Sequence, residues 1–133
     1  MKLTAKSRYA IRGLIDLALY QKDGYVSLRD IAARQKISFK YLESCFADLK
    51  RAGIVTGLTG KSGGYRLACD PEEITLHTLL DLFEGIGPLC APSPAPSPME
   101  RFIEVRVFEQ LQAGLSAFGD AHSLADLVRA ARQ

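Results

Sequence analysis

Cysteine is scarce in this chain, and the three present are far apart: Cys45, Cys69 and Cys90 lie 24 and 21 positions from one another. No C-x-x-C pair and no Cys/His cluster of metal-site spacing occurs, which excludes a zinc-finger or ribbon reading. An odd, widely spaced set fits reduced thiols better than a disulfide framework. Cys45 and Cys69 then read as small buried hydrophobes. Histidine is scarcer still, with His77 and His122 alone, and neither has a ligand or nucleophile partner at a supporting spacing. No Ser/His/Asp set or paired-carboxylate pattern stands out either, so an enzyme is not expected. No apolar run reaches the roughly 18 residues of a membrane span. The opening "MKLTAKSRYA" is charged where a secretory leader would be apolar, so the expected setting is the cytoplasm.

Lysine is absent beyond residue 61. Residues 1–66 carry 13 Lys and Arg against 5 Asp and Glu, whereas residues 67–133 carry 4 Arg against 10 acids. The net charge of +2 hides this division. A basic N-terminal half suits a polyanionic partner, and an acidic C-terminal half suits other work. Proline is also unevenly placed: five of the six fall in "GPLCAPSPAPSP", which reads as an extended linker.

What remains is regular. Thr4 is a candidate N-cap for a helix to about Lys22 with an apolar stripe through Leu14 and Leu17, and "DG" breaks it. Ser27 is placed to cap a short helix, "LRDIAARQK". Ser38 is placed to cap a third, "FKYLESCFADLKRAG", whose Leu42, Cys45, Phe46 and Leu49 share one face, with Gly53 as its left-handed terminator. The period then changes: "IVTGLT" and "YRLAC", joined by "GKSGG", read as a β-hairpin. Thr75 caps a fourth helix closed by Gly85. A long helix is predicted from about Met99 to Phe118, and Ser123 caps a last short one.

Three helices and a hairpin in this order make a winged helix-turn-helix, so the fold class is mainly α with a small β-hairpin. The expected organisation is a DNA-binding domain over 1–85, a proline-rich loop over 86–98, and a dimerisation helix with a short terminal helix over 99–133. The long helix carries Phe102, Ile103, Val107, Leu111 and Leu115, more apolar surface than a monomer hides, so a homodimer is expected.

In such a motif the second helix enters the major groove of double-stranded DNA. Its inward stripe leaves Lys40, Tyr41, Glu43 and Ser44 outward, with Asp48 and Arg51 further on. Lys40 can meet phosphate or guanine, and Tyr41 and Ser38 can donate to phosphate. Glu43 can accept from a cytosine amino group or pair with Lys40 or Lys50. Lys61 tips the wing, and Lys6, Arg8, Arg12 and Arg66 extend the basic surface. "GKSGG" does not make a phosphate-binding P-loop, because its lysine precedes the glycine pair and a strand follows.

The segments "MKLTAKSRYAIRGLIDLAL", "SLRDIAARQKISFKYLESCFADLKRAGIV", "GKSGGYRLA" and "EEITLHTLLDLFEG" together resemble the Rrf2 family of bacterial transcription regulators over residues 1 to about 85. Beyond that point "SLADLV" and a helix-rich pattern are similar. The resemblance implies a homodimer with crossing long helices, each winged helix on one half-site of a pseudo-palindromic operator, most simply as a repressor. It also implies that Ser38, Lys40, Tyr41, Glu43 and Ser44 lie on the reading helix, with Thr59, Lys61 and Ser62 in or beside the wing. Relatives often have arginine where this chain has Thr59. Cluster-binding relatives carry three closely spaced cysteines after the fourth helix, whereas this chain has only Cys90. No cofactor is therefore expected, an iron–sulfur cluster lacking its usual ligands. Cys90 itself reads three ways: inert, an exposed redox thiol, or a ligand in a set completed by other residues. The competing reading of the whole is a winged-helix module that holds a partner enzyme without touching DNA.

Overall fold

The computed structural model describes residues 2–61, 63–87, 89 and 93–133. Cys90 and Ser62, both singled out above, lie outside the described residues. Helix α1 (Ala5–Tyr20) begins where expected, with Thr4 Oγ1 accepting from the Ser7 amide at 3.3 Å. Helix α2 (Leu28–Gln35) follows Ser27, whose side chain makes no capping bond; its carbonyl accepts from Asp30 and Ile31 instead. The three-residue turn to α3 (Phe39–Arg51) is made by Lys36 in the left-handed region, φ 56°. Ser38 caps α3 through the Tyr41 amide at 3.1 Å, and Gly53 terminates it at φ 78°.

Strands β1 (Val55–Leu58) and β2 (Gly64–Leu67) pair antiparallel, Val55 opposite Leu67 and Leu58 opposite Gly64. The sequence did not signal a third partner: Val26 and Tyr65 exchange amide–carbonyl hydrogen bonds of 2.8 Å in both directions. This bridge locks the hairpin to the segment before α2. Gly64 makes it possible, since a Cβ there would lie 2.2 Å from the Val26 carbonyl oxygen.

Helix α4 (Leu76–Glu84) is capped by Thr75 and closed by Gly85 at φ 65°. The expected long helix is continuous from Pro98 to Asp120 but not uniform: α5 (Pro98–Ile103) and α6 (Glu109–Asp120) flank a π-turn segment, Glu104–Phe108. The widening falls on the β-branched Val105 and Val107, which crowd a regular turn. Proline at the first helical position, after the Ser97 cap, starts the helix one residue earlier than periodicity suggests. Helix α7 (Leu124–Ala131) then returns to the N-terminal core. Its Ser123–Asp126 capping box is complete, at 2.9 and 3.1 Å. A second short bridge, Thr75 with Ser123, seats it.

The core is organised around α1. Ala10, Leu14 and Leu17 are fully buried among Ile31, Leu42, Cys45, Phe46, Leu49, Leu79 and Leu124. Gly13 lets α3 approach, because a Cβ would stand 2.8 Å from the Phe46 ring. A charge is buried on the same helix. Asp16, 1% exposed, accepts from Arg34 Nε at 3.0 Å, from a second Arg34 nitrogen at 2.6 Å and from Gln35 Nε2 at 2.9 Å. The Tyr20 ring covers the guanidinium at 3.8 Å. The hydrogen bonds to Asp16 hold the Arg34 pKa above its ordinary value.

The pair is asymmetric, since the Arg34 side chain is 31% exposed and Asp16 is not. Arg34→Met strands a buried carboxylate and should cost about 3 kcal/mol in urea denaturation. Asp16→Asn leaves an arginine that can turn to water and should cost about half as much. Equal losses would show that the pair does not have this directional character.

Candidate nucleic-acid interface

The reading-helix candidates stand on α3 as helical geometry requires. With Leu42, Cys45, Phe46 and Leu49 buried, Lys40, Tyr41, Glu43 and Ser44 are exposed, and Ser38 is exposed at the cap. Among the described residues no Lys or Arg lies within ion-pair distance of Glu43, so neither Lys40 nor Lys50 neutralises it. Its charge is felt elsewhere: burial first, and the Glu43 carboxylate second, push the Tyr65 phenol up. Tyr65 in turn packs edge-on to Phe46, ring centres 5.0 Å apart, which ties β2 to α3.

Tyr41 is 39% exposed and meets the Tyr9 ring edge-on at 5.3 Å. The guanidinium of Arg12 lies 5.4 Å from the Tyr9 ring centre, and that of Arg8 lies 6.0 Å from it. Arg8 is exposed and forms no ion pair among the described residues. The wing places Thr59 and Lys61 at its exposed tip, where Gly60 takes φ 105° and its carbonyl accepts from the Gly63 amide at 3.1 Å.

Some expected surface charges are engaged by structural partners. Lys6 Nζ lies 2.6 Å from Asp48, so it links α1 to α3. Asp48, expected on the outward side, is only 20% exposed and also pairs with Arg51. Arg12 donates to the carbonyl and side-chain oxygens of Gln35, closing α1 onto the end of α2. Arg66 lies over the Tyr25 ring at 5.1 Å. Apart from Asp48 with Arg51, these pairings span elements distant in sequence, so helical periodicity could not reveal them.

The two described thiols are shielded from solvent to different degrees. Cys45 is fully buried and donates to the Lys6 carbonyl at 3.7 Å, while Cys69 is half-buried at the exit of β2. Burial pushes both thiols up. Among the described residues no group of three His, Cys, Asp or Glu could hold a metal ion. Both histidines have local partners: His77 Nδ1 lies 2.8 Å from Asp120, and His122 Nδ1 lies 2.8 Å from the Phe118 carbonyl oxygen. No helix among the described residues is long and apolar enough to cross a membrane.

Comparison with known proteins places this geometry. The family model "Rrf2: Iron-dependent Transcriptional regulator" matches residues 3–130. The chain is 35% identical over 130 residues to the HTH-type transcriptional regulator IscR of Aliivibrio salmonicida, covering 96% of this chain and 77% of that protein. It is 47% identical to the IscR of Photobacterium profundum over 80 residues, which span 60% of this chain and 46% of that one. Among solved structures it is similar to CymR, the global cysteine regulator of B. subtilis, with TM-score 0.81, 28% identity and 97% of each chain covered. T. potens IscR gives TM-score 0.77 at 31% identity, covering 98% of this chain and 88% of that one. Along nearly its whole length, this winged-helix chain belongs to the Rrf2 family of transcriptional regulators, and it is not an enzyme.

Proposed function

We propose that this regulator is a cytoplasmic repressor that binds double-stranded DNA as a homodimer, each protomer reading one half of a pseudo-palindromic operator. The observation that carries this reading is the face of α3. Lys40, Tyr41, Glu43 and Ser44 stand exposed on the first two turns behind the Ser38 cap, and neither Lys40 nor Glu43 has an ion-pair partner among the described residues. A carboxylate left unpaired on a DNA-facing helix is repelled by phosphate and earns its place by accepting from a base, most suitably a cytosine amino group. Lys40 and Tyr41 serve phosphate, as does Arg8 beside them. Lys61, with Thr59, reaches the minor groove or its flanking phosphates from the wing. Lys6 acts indirectly, by holding α1 to α3.

Dimerisation is supported by the helix from Pro98 to Asp120. Phe102, Val107 and Leu111 are 57%, 49% and 53% exposed, and Ile103 is exposed beside them, with Leu115 half-buried on the same helix. A two-fold dimer matches a palindromic site, and a protein seated on a promoter blocks access to it. The 1–85, 86–98 and 99–133 division expresses this split between reading and pairing, although Leu124 and Val128 of the last segment pack in the N-terminal core.

The family model's description names iron. The described residues do not fit an iron or iron–sulfur group: Cys45 lies in the core, burial disfavours the thiolate at Cys69, and no third donor joins either.

Binding to the DNA upstream of the protein's own gene, followed by fluorescence anisotropy, tests the interface. Affinity should fall steeply with salt. Lys40→Ala/Lys61→Ala should weaken binding at least about tenfold and lower the salt slope by about two per protomer. A flat salt response would remove the α3 and wing assignments. Undiminished affinity in the double variant would return the balance to a module that holds a protein partner. Independently, Leu111→Glu should convert the dimer to monomer in sedimentation velocity, and a wild-type monomer would overturn the pairing role of the helix.

A further inference from the structure

Glu84 ends α4, where its charge opposes the negative end of its own helix dipole. It is held there by another helix. A single carboxylate oxygen accepts from the Thr4 amide at 2.7 Å, the Thr4 hydroxyl at 2.8 Å and the Ser7 hydroxyl at 2.6 Å. Thr4 is the N-cap of α1 and Ser7 is fully buried. A carboxylate from 80 residues away therefore closes the first turn of α1, where free amides and the positive dipole end favour an anion.

The same stretch of α1 is the part that touches the reading helix. The Lys6 carbonyl accepts from the Cys45 thiol, Lys6 Nζ pairs with Asp48, and Tyr9 packs against Tyr41. These contacts meet α3 at its first, second and third turns. The other end of α1 is fixed to α2 through Asp16, and Glu84 restrains the N-terminal end alongside these α3 contacts.

Building on the DNA-reading role of α3, we propose that Glu84 is a positioning residue for operator recognition. Its clasp on Thr4 and Ser7 sets α1 against α3.

Electrostatics and positioning predict opposite signs, which makes the test decisive. Removing a carboxylate makes the protein more basic, and by charge alone that strengthens DNA binding. If Glu84 positions α3, Glu84→Ala instead weakens binding to the upstream DNA by about tenfold, with Glu84→Gln between it and wild type. Arg129→Ala serves as a control. It breaks the cluster of Arg129 with Glu72 and Asp126 on α7, away from α1's first turn. All proteins are compared at a temperature where circular dichroism shows them folded. Amide exchange without DNA is the second readout, and Glu84→Ala should accelerate exchange in α1's first turn and in α3 but not in α7.

Tighter or unchanged binding by Glu84→Ala, a loss matched by Arg129→Ala, or unaltered exchange in α3 would each overturn the proposal. A wild-type protein that ignores the DNA fails the DNA-reading role itself, and amide exchange then still decides whether the clasp controls α3.

Discussion

The buried carboxylate of Asp16 constrains the rest of the molecule. A charge in the apolar core is tolerated only with its hydrogen-bonding capacity filled, and here Arg34 and Gln35 fill it from the end of α2. Because both donors stand on adjacent residues of one helix, α2 has little freedom to slide or roll on α1. Apolar contacts between the two helices would accept several registers of similar energy, but a forked guanidinium on a carboxylate accepts few. The turn through Lys36 then sets where α3 begins. Arg12, bonded to the Gln35 carbonyl, closes the same junction from the surface side. The placement of α3 is thus decided largely by polar contacts beneath it, with the apolar stripe supplying the adhesion.

Local chemistry was the legible part of this fold. Thr4, Ser38, Thr75 and Ser123 all cap helices with their own side chains, since a cap and its recipient amide are neighbours in sequence. The hairpin was legible through its glycines and its change of period. Features that join distant segments were not. The Val26–Tyr65 bridge uses backbone groups that carry no residue signature. Glu84 reads as an ordinary helix-end acid until Thr4 is brought beside it, and Asp16 reads as a polar break in an apolar stripe. The π-turn was hidden for a different reason: apolar residues on several faces of the Phe102–Leu115 stretch suit a regular or a widened helix equally well. The last helix showed its cap and its apolar face, but not that Leu124 would pack under α1.

At the site, residue type and helical phase placed Lys40, Tyr41, Glu43 and Ser44 on one exposed face without knowledge of the tertiary structure. The same reasoning overcounted cations. Formal charge treats every Lys and Arg alike, yet Lys6, Arg34 and Arg51 are paired with carboxylates and Arg12 with Gln35. Such groups contribute less to phosphate attraction than their number suggests, because their field is partly cancelled at short range.

This distinction bears on how the protein would discriminate among DNA sequences. Cations without structural partners supply attraction that is indifferent to sequence and screened by salt. An unpaired Glu43 works against that attraction at every site where no base donor faces it. Weakening the wrong complexes is as effective for selectivity as strengthening the right one. If α3 is the reading helix as proposed, a basic surface with one carboxylate unpaired among the described residues is better suited to choosing among sites than a wholly basic one. On the proposed DNA-reading role of α3, that choice requires Glu43 to be held at a fixed depth in the groove. Contacts that fix α3 against α1, at Asp48, Cys45 and Tyr41, are the means by which the core supplies it.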